Sequence, residues 1–184
     1  MNRMLTGMKF VLAGTVVALT LGACATAPVS VEGRADIEKD AATALAEAKA
    51  TDSTLGPVFN SAAGYAVFPK VGKAAAGFGG AYGRGVLYER GRIVGYCDLT
   101  QATVGMQLGG QTYTQIIAFE NQQAVDNFKQ GNLAFAAQAT AVALKSGVGR
   151  NAKYQDGVAV FTMDESGLMG EASVGGQKFS YEPK

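Results

Sequence analysis

The chain has 184 residues, 48% of them hydrophobic, and a formal net charge of +1 at pH 7. A chain of this size can bury one substantial core and forms one domain rather than two. It contains no histidine, which removes the commonest general base and the commonest metal ligand and weighs against catalysis.

The first 23 residues have the features of a secretory signal peptide. Residues 1–9 carry Arg3 and Lys9 and no acid, and an uncharged apolar run follows at 10–21. This run is too short to span a bilayer comfortably. We therefore predict that residues 1–23 are a cleaved signal peptide and not a transmembrane helix.

The apolar run ends at Leu21-Gly22-Ala23-Cys24, which resembles the lipobox of bacterial lipoproteins. The resemblance implies that Cys24 is acylated, with chains such as palmitate, and becomes the first residue of the mature chain. Because Ala25 rather than an aspartate follows, it also implies transport to the outer membrane, with the domain facing the periplasm. Several acyl chains would anchor the protein stably. The alternative is an ordinary signal peptide with a coincidental cysteine.

Acylation of Cys24 would leave Cys97, the second of two cysteines, without a partner for an intramolecular disulfide. We expect Cys97 to be a small buried residue or a free thiol without a redox role.

Charge is unevenly distributed along the chain. Residues 32–52 contain six acids and three bases, whereas 70–92 contain five bases and one acid, and 145–153 contain three bases and no acid. The two basic segments either form a surface that faces anions or are solvated charges scattered over the domain.

Residues 24–33, the lipidated cysteine and a short tether, precede a single domain at 34–184. A helix is predicted at 34–50, because apolar residues recur on one face opposite the charges. The stripe consists of Ile37, Ala41, Ala44, Leu45 and Ala48. It is thin and rich in alanine, which suits close packing against a sheet.

Strand patterns follow this helix. The run GYAVFP at 64–69 is a compact strand that Pro69 should end. The segment GFGGAYGRGVLYERGRIVGYCDL at 77–99 alternates, and Gly91 suits a hairpin turn near its centre. A similar alternation returns at 102–119.

A second helix is predicted at 121–131, with Asn121 as its N-cap and Gly131 at its end. The alanine content of 133–145 favours a helix there too. GVGR at 147–150 is a turn, and the remaining residues are typical of three strands separated by turns.

The connections between the predicted strands are too short for crossover helices, so the sheet should be mostly antiparallel. The sequence therefore predicts an α+β fold, in which a curved, glycine-rich antiparallel sheet packs with a few helices. Whether the sheet closes into a barrel is left open.

Glycines are concentrated at 77–85, GFGGAYGRG, in a spacing that does not fit a phosphate-binding loop. A dinucleotide-binding fingerprint needs a helix after its glycines, whereas the strand-like VLYERG follows here. Glycine at alternate positions removes the side chains from one face of a strand. We predict that a helix or another backbone segment lies against this face, and that Tyr82 and Arg84 project from the other.

Four motifs in order give residues 61–181 a close resemblance to the SYLF domain family, known from yeast actin-binding proteins. They are GYAVFPKVGKAAAGFGGAYGRGVLY, VGMQLGGQTYTQIIAF, AVDNFKQG and GVGR. The resemblance favours a strand within 133–145. It departs at SGVGR, residues 146–150, and near Cys97, where the family usually has a proline.

The resemblance implies binding of membrane lipids, notably anionic phospholipids. Lys70, Lys73 and Arg84 match basic positions of the glycine-rich block, and Arg150 matches the arginine of the late turn. These four are the candidate lipid-binding residues, and for each the alternative is a solvated or salt-bridged side chain. Eukaryotic members also contact actin, which we do not carry over to an envelope lipoprotein.

We therefore predict a non-catalytic, lipid-anchored outer-membrane lipoprotein that binds phospholipids, with no metal, no cofactor and no nucleic-acid partner. Ligand sets with metal-binding spacing and a plausible nucleophile–base pair are both missing from the sequence. The alternative is a structural or assembly factor of the envelope that acts through protein partners, recruited for example by an exposed sheet edge.

Overall fold

The computed structural model describes residues 31–134, 140–164 and 172–184. Cys24 and the predicted signal peptide lie outside these ranges. The elements are α1 (Val31–Thr51), α2 (Leu55–Ser61), β1 (Gly64–Glu89), β2 (Arg92–Phe119), α3 (Gln122–Lys129), β3 (Thr140–Ala143), a 3₁₀ turn (Gly149–Asn151), β4 (Val158–Asp164), β5 (Ala172–Ser173) and β6 (Gln177–Pro183). The predicted α+β fold is confirmed, and the sheet is not closed into a barrel.

A long antiparallel hairpin of β1 and β2 dominates the fold. Its pairing runs from Gly64 opposite Phe119 to Glu89 opposite Arg92. At the tip, Arg90 and Gly91 both have positive φ, 50° and 74°, as a two-residue turn that matches the strand twist requires. The predicted hairpin turn is confirmed.

Strand β2 has a different second neighbour along each of its halves. Residues 95–101 pair with β6, and residues 113–119 pair with β4. Beyond β4 the order continues through β3 to β5. The β3–β4 pair is parallel and the other described pairs are antiparallel. The strand alternative within 133–145 is correct for Thr140–Ala143, while 135–139 lie outside the described residues.

The prediction that Pro69 ends a strand is wrong, because β1 continues through it. The pairing with β2 shifts from Phe68 opposite Gln115 to Val71 opposite Tyr113, which is a bulge. A bulge accommodates a residue that has no N–H to give to the ladder. The Pro69 carbonyl accepts a hydrogen bond from Thr114 Oγ1 at 2.8 Å, so the irregular segment remains attached to the sheet.

The glycine-bearing half of β1 lies directly against the first half of the same strand. A Cβ added at Gly83 would stand 2.8 Å from Val71 Cγ2 and 3.2 Å from the Lys70 carbonyl oxygen. A Cβ at Gly85 would collide with the Val67 carbonyl oxygen and the Phe68 ring. The prediction that these glycines clear a face for another backbone segment is therefore confirmed at both positions.

Strand alternation divides the buried residues into an inner core and an outer core, one on each face of the sheet. The inner core is completed by α3, whose Phe128 packs on Phe119 and Phe179 with ring centroids 5.1 and 5.3 Å apart. The predicted cap of this helix is confirmed, since Asn121 Oδ1 accepts a hydrogen bond from the Ala124 amide at 3.0 Å.

Helix α1 covers the outer core, beginning three residues before its predicted start. Its buried residues are Ala41, Ala44 and Ala48, and the sheet supplies large aromatic rings opposite them. Tyr65 stacks on Tyr88 with centroids 4.9 Å apart. The thin alanine face lets the helix approach these rings closely, as its sequence predicted.

We predict that Gly85→Ala lowers the free energy of unfolding by about 3 kcal/mol, because the new methyl group meets backbone that cannot move aside. The matched control is Gly56→Ala in α2, where nothing lies within 4 Å and φ is not positive. That change should be neutral or stabilise by about 0.5–1 kcal/mol. Urea unfolding of both variants checks this, and equal stability would contradict the close approach.

Candidate functional site

Three of the four candidate lipid-binding residues lie on β1, and its folded-back path brings their backbones together. A straight strand would separate residues 70 and 84 by about 46 Å. Instead the Lys70 carbonyl lies against Gly83, the neighbour of Arg84, and the Tyr82 carbonyl lies 4.0 Å from a Cβ placed on Gly72. Lys70, Lys73, Tyr82 and Arg84 therefore share one end of the sheet, which we call the basic end.

Arg84 is held by two polar neighbours. Its Nε donates a hydrogen bond to Tyr82 Oη at 2.9 Å, and Tyr82 Oη donates to Asp98 Oδ1 at 3.2 Å. The hydrogen bond that Arg84 donates to Tyr82, together with the nearby Asp98 carboxylate, raises the pKa of Arg84 above its ordinary value. Asp98 compensates part of the charge, at an Nε–Oδ1 distance of 3.9 Å, but the Arg84 side chain remains 45% exposed.

Lys70 is exposed and Lys73 is half-buried. Neither has a salt-bridge partner among the described residues. The charges of Lys70 and Lys73 are therefore less compensated than that of Arg84. The guanidinium of Arg84, in turn, is the one held in a fixed direction by its neighbours. Among the side chains that the structure describes at this end, an approaching anion would meet the cations Lys70, Lys73 and Arg84 and the carboxylate of Asp98.

Tyr82 is the residue of this end that sequence reasoning did not select. It is 43% exposed, one of three large hydrophobic residues exposed in the described part of the chain. The alternation of β1 predicts that Tyr82 lies on the same face as Arg84. It does not predict that Tyr82 is exposed, because Val86 and Tyr88 on the same face are buried under α1. A tyrosine flanked by basic residues suits a membrane–water boundary.

Arg90 and Arg92 do not belong to the basic end. Both are exposed at the tip of the hairpin, about 20 Å further along β1 than Arg84. The basic segment 70–92 is therefore divided by the fold between the basic end and the hairpin tip and does not form a single patch.

Arg150 occupies a separate place, on the 3₁₀ turn. It is exposed, and its backbone amide donates to Thr54 Oγ1 at 2.9 Å. The described hydrogen bonds between this turn and other elements go to the junction between α1 and α2. The structure thus brings three candidate residues together and leaves the fourth on another element.

Asp52 fixes that turn to the helix junction. Its carboxylate is 1% exposed and accepts hydrogen bonds from the amides of Gly147 (3.0 Å) and Gly149 (2.6 Å), and from the amide (2.9 Å) and hydroxyl (2.7 Å) of Thr54. Burial by itself would raise the pKa of Asp52, but these four bonds outweigh it and lower the pKa to about 2.

Cys97 is a free thiol, buried in the inner core. Burial, with a contribution from Asp98, raises its pKa well above the ordinary value, so the thiol is protonated at neutral pH and unreactive. The prediction of a small buried cysteine is confirmed.

We predict that Asp52 stabilises the fold in a pH-dependent way. Its folded pKa is lowered from 3.8 to about 2, so its contribution is complete above the unfolded value and is lost as the pH falls from 3.8 through 2. The free energy of unfolding of the native protein should therefore approach that of Asp52→Asn across this interval. Urea unfolding of both proteins at several pH values checks this; a difference that stays constant down to pH 2 would contradict it.

No helix in the described ranges is long and apolar enough to cross a membrane.

Comparison with known proteins identifies the second half of the chain. Residues 100–183 match the family described as Ysc84, Las17-binding protein actin regulator. A relative, Beta cell expansion factor A of Aeromonas veronii, is 30% identical over 150 residues, which are 80% of this chain and 57% of the relative. The chain thus spans little more than half the length of that relative. The match, which runs from the middle of β2 to the end of β6, confirms the predicted resemblance to the Ysc84, or SYLF, family.

Proposed function

We propose that this protein is a lipoprotein of the bacterial outer membrane, anchored through acylated Cys24, whose SYLF domain binds anionic phospholipids without catalysing a reaction. Membership of the family suggests binding of lipids or of actin-related proteins. The lipobox-like sequence before Cys24 favours lipids, because an envelope protein does not meet actin.

The observation that carries the proposal is the basic end. Three cations that are distant along β1 lie at one end of the sheet, beside an exposed tyrosine and beyond the part of the sheet that α1 covers. Phosphate groups of an anionic bilayer would meet Lys70 and Lys73 first, and Tyr82 would place its ring among the headgroups. Arg84 would approach with its guanidinium already oriented by Tyr82 and Asp98.

The expected strength of this contact is modest. Each basic residue near an anionic surface contributes about 1 kcal/mol, so the three cations of the basic end supply about 3 kcal/mol, which alone gives only weak binding. A covalent anchor changes this, because it converts the contact into an intramolecular one. Six residues separate Cys24 from the start of α1, a reach of at most about 20 Å, so an anchored domain would stay close to the bilayer.

The charge contribution is tested with the mature chain, residues 24–184, carrying Cys24→Ser so that no acyl chain interferes. Its flotation with vesicles of phosphatidylcholine and phosphatidylglycerol should weaken about fivefold for each of Lys70→Gln, Lys73→Gln and Arg84→Gln. The control is Arg90→Gln with Arg92→Gln, which removes two charges at the hairpin tip and should change binding little.

Equal losses from the hairpin-tip control would show a nonspecific response to net charge and would contradict the assignment of the basic end. A parent chain indifferent to both anionic and zwitterionic vesicles would overturn lipid binding by the domain. The function would then be sought in a protein partner of the envelope.

The orientation is tested with a single fluorescent reporter, because the sequence has no tryptophan. Tyr82→Trp should shift its emission to shorter wavelength when anionic vesicles are added, since the ring leaves water for the interface. The matched reporter is Tyr181→Trp; Tyr181 lies near the hairpin tip, with its hydroxyl donating to the Val94 carbonyl at 3.0 Å. A shift at position 181 without one at 82 would show that the opposite end faces the lipid.

A further inference from the structure

We propose that Asp52 is the positioning residue that presents Arg150 to the anionic lipid surface, an inference that rests on the proposed function. Arg150 is separated from Asp52 by almost a hundred residues of chain, and no motif connects them. The connection is made only by hydrogen bonds between the α1–α2 junction and the turn at 146–150.

Three backbone amides of the turn are linked to this one carboxylate, two directly and one through Thr54. The amides of Gly147 and Gly149 donate to it directly, and the amide of Arg150 donates to Thr54 Oγ1, whose hydroxyl in turn donates to Asp52 Oδ1. Within the turn, the amides of Val148, Asn151 and Ala152 donate to the carbonyls of Lys145, Val148 and Gly149. Asp52 and Thr54 supply its hydrogen bonds to the α1–α2 junction.

The turn also lies directly on the junction. A Cβ added at Gly149 would stand 2.8 Å from Thr54 Oγ1 and 2.9 Å from the Leu55 amide nitrogen, so a side chain larger than that of glycine would not fit at this position. Gly147 has φ +83°, a conformation that favours glycine. The hydrogen bonds to Asp52 and Thr54 and this close packing together hold the backbone that carries Arg150 against the junction.

The side chain of Arg150 has no such restraint. It is exposed, and no described acidic group forms a salt bridge with it. Its direction is set by the backbone from which it extends. Fixing that backbone before binding avoids the entropy cost of ordering a loop at the lipid surface, so removal of the carboxylate should remove the contribution of Arg150 as well.

The experiment is a double-mutant cycle in the mature chain with Cys24→Ser, using phosphatidylcholine–phosphatidylglycerol vesicles. We expect Asp52→Asn and Arg150→Gln each to weaken binding about fivefold, and the double variant to be no weaker than either. Val125→Ala in α3, buried on the other face of the sheet, is the control for a general loss of stability and should bind as the parent does.

Two further measurements separate positioning from folding. Amide hydrogen exchange at Gly147, Gly149 and Arg150 without lipid should accelerate in Asp52→Asn and not in Arg150→Gln. If Asp52→Asn does not fold, Thr54→Val and Thr54→Ser replace it, because valine removes the hydroxyl link to Arg150 and serine keeps it. Thr54→Val should then weaken binding, and Thr54→Ser should bind as the parent does.

Losses that multiply in the double variant, or parent-like binding by Asp52→Asn, would overturn this inference alone. A parent chain that does not bind the vesicles at all would overturn the proposed function, and this inference with it.

Discussion

Strand β1 returns against itself at Gly83 and Gly85, where the space for a side chain is taken by the backbone at Lys70, Val71 and Val67. Most of the architecture depends on this contact. It allows one hairpin to border both halves of the sheet, with β6 beside one half of β2 and β4 beside the other. It also gives α1 one outer face to cover and encloses the inner core with α3. Side chains at these two positions would force the halves apart.

Helix α1 is attached to this sheet at both ends by different interactions. Near its start, Arg34 pairs with Glu182 at 2.6 Å, and Glu38 accepts hydrogen bonds from Tyr96 (2.6 Å) and Lys184 (2.7 Å). At its end, Asp52 binds the 146–150 turn. Burial, and after it the hydrogen bond to Glu38, raises the pKa of Tyr96 to about 12. Tyr96 therefore keeps the proton that it donates to Glu38 across the physiological pH range. The helix that follows the predicted anchor is thus a fixed part of the domain.

A chain with almost no net charge can still favour an anionic surface, because the fold controls where its charges lie. Folding of β1 concentrates Lys70, Lys73 and Arg84 at the basic end and leaves Arg90 and Arg92 apart from them, at the hairpin tip. Acidic residues are concentrated instead in α1, on the helix that covers the outer face. This separation creates a local field that the net charge does not reveal.

Local patterns by themselves determined α1, α3, the hairpin turn, the antiparallel sheet and the need for a cleared glycine face, because periodicity, caps and positive-φ turns are properties of neighbouring residues. The lipobox-like Cys24 is likewise a sequence feature. Tertiary structure alone decided that β1 continues through Pro69, that Tyr82 is exposed while Val86 on the same row is buried, and that Asp52 binds the turn of Arg150. Each of these depends on contacts between residues distant along the chain, and their partners become known only when the hairpin has folded back on itself.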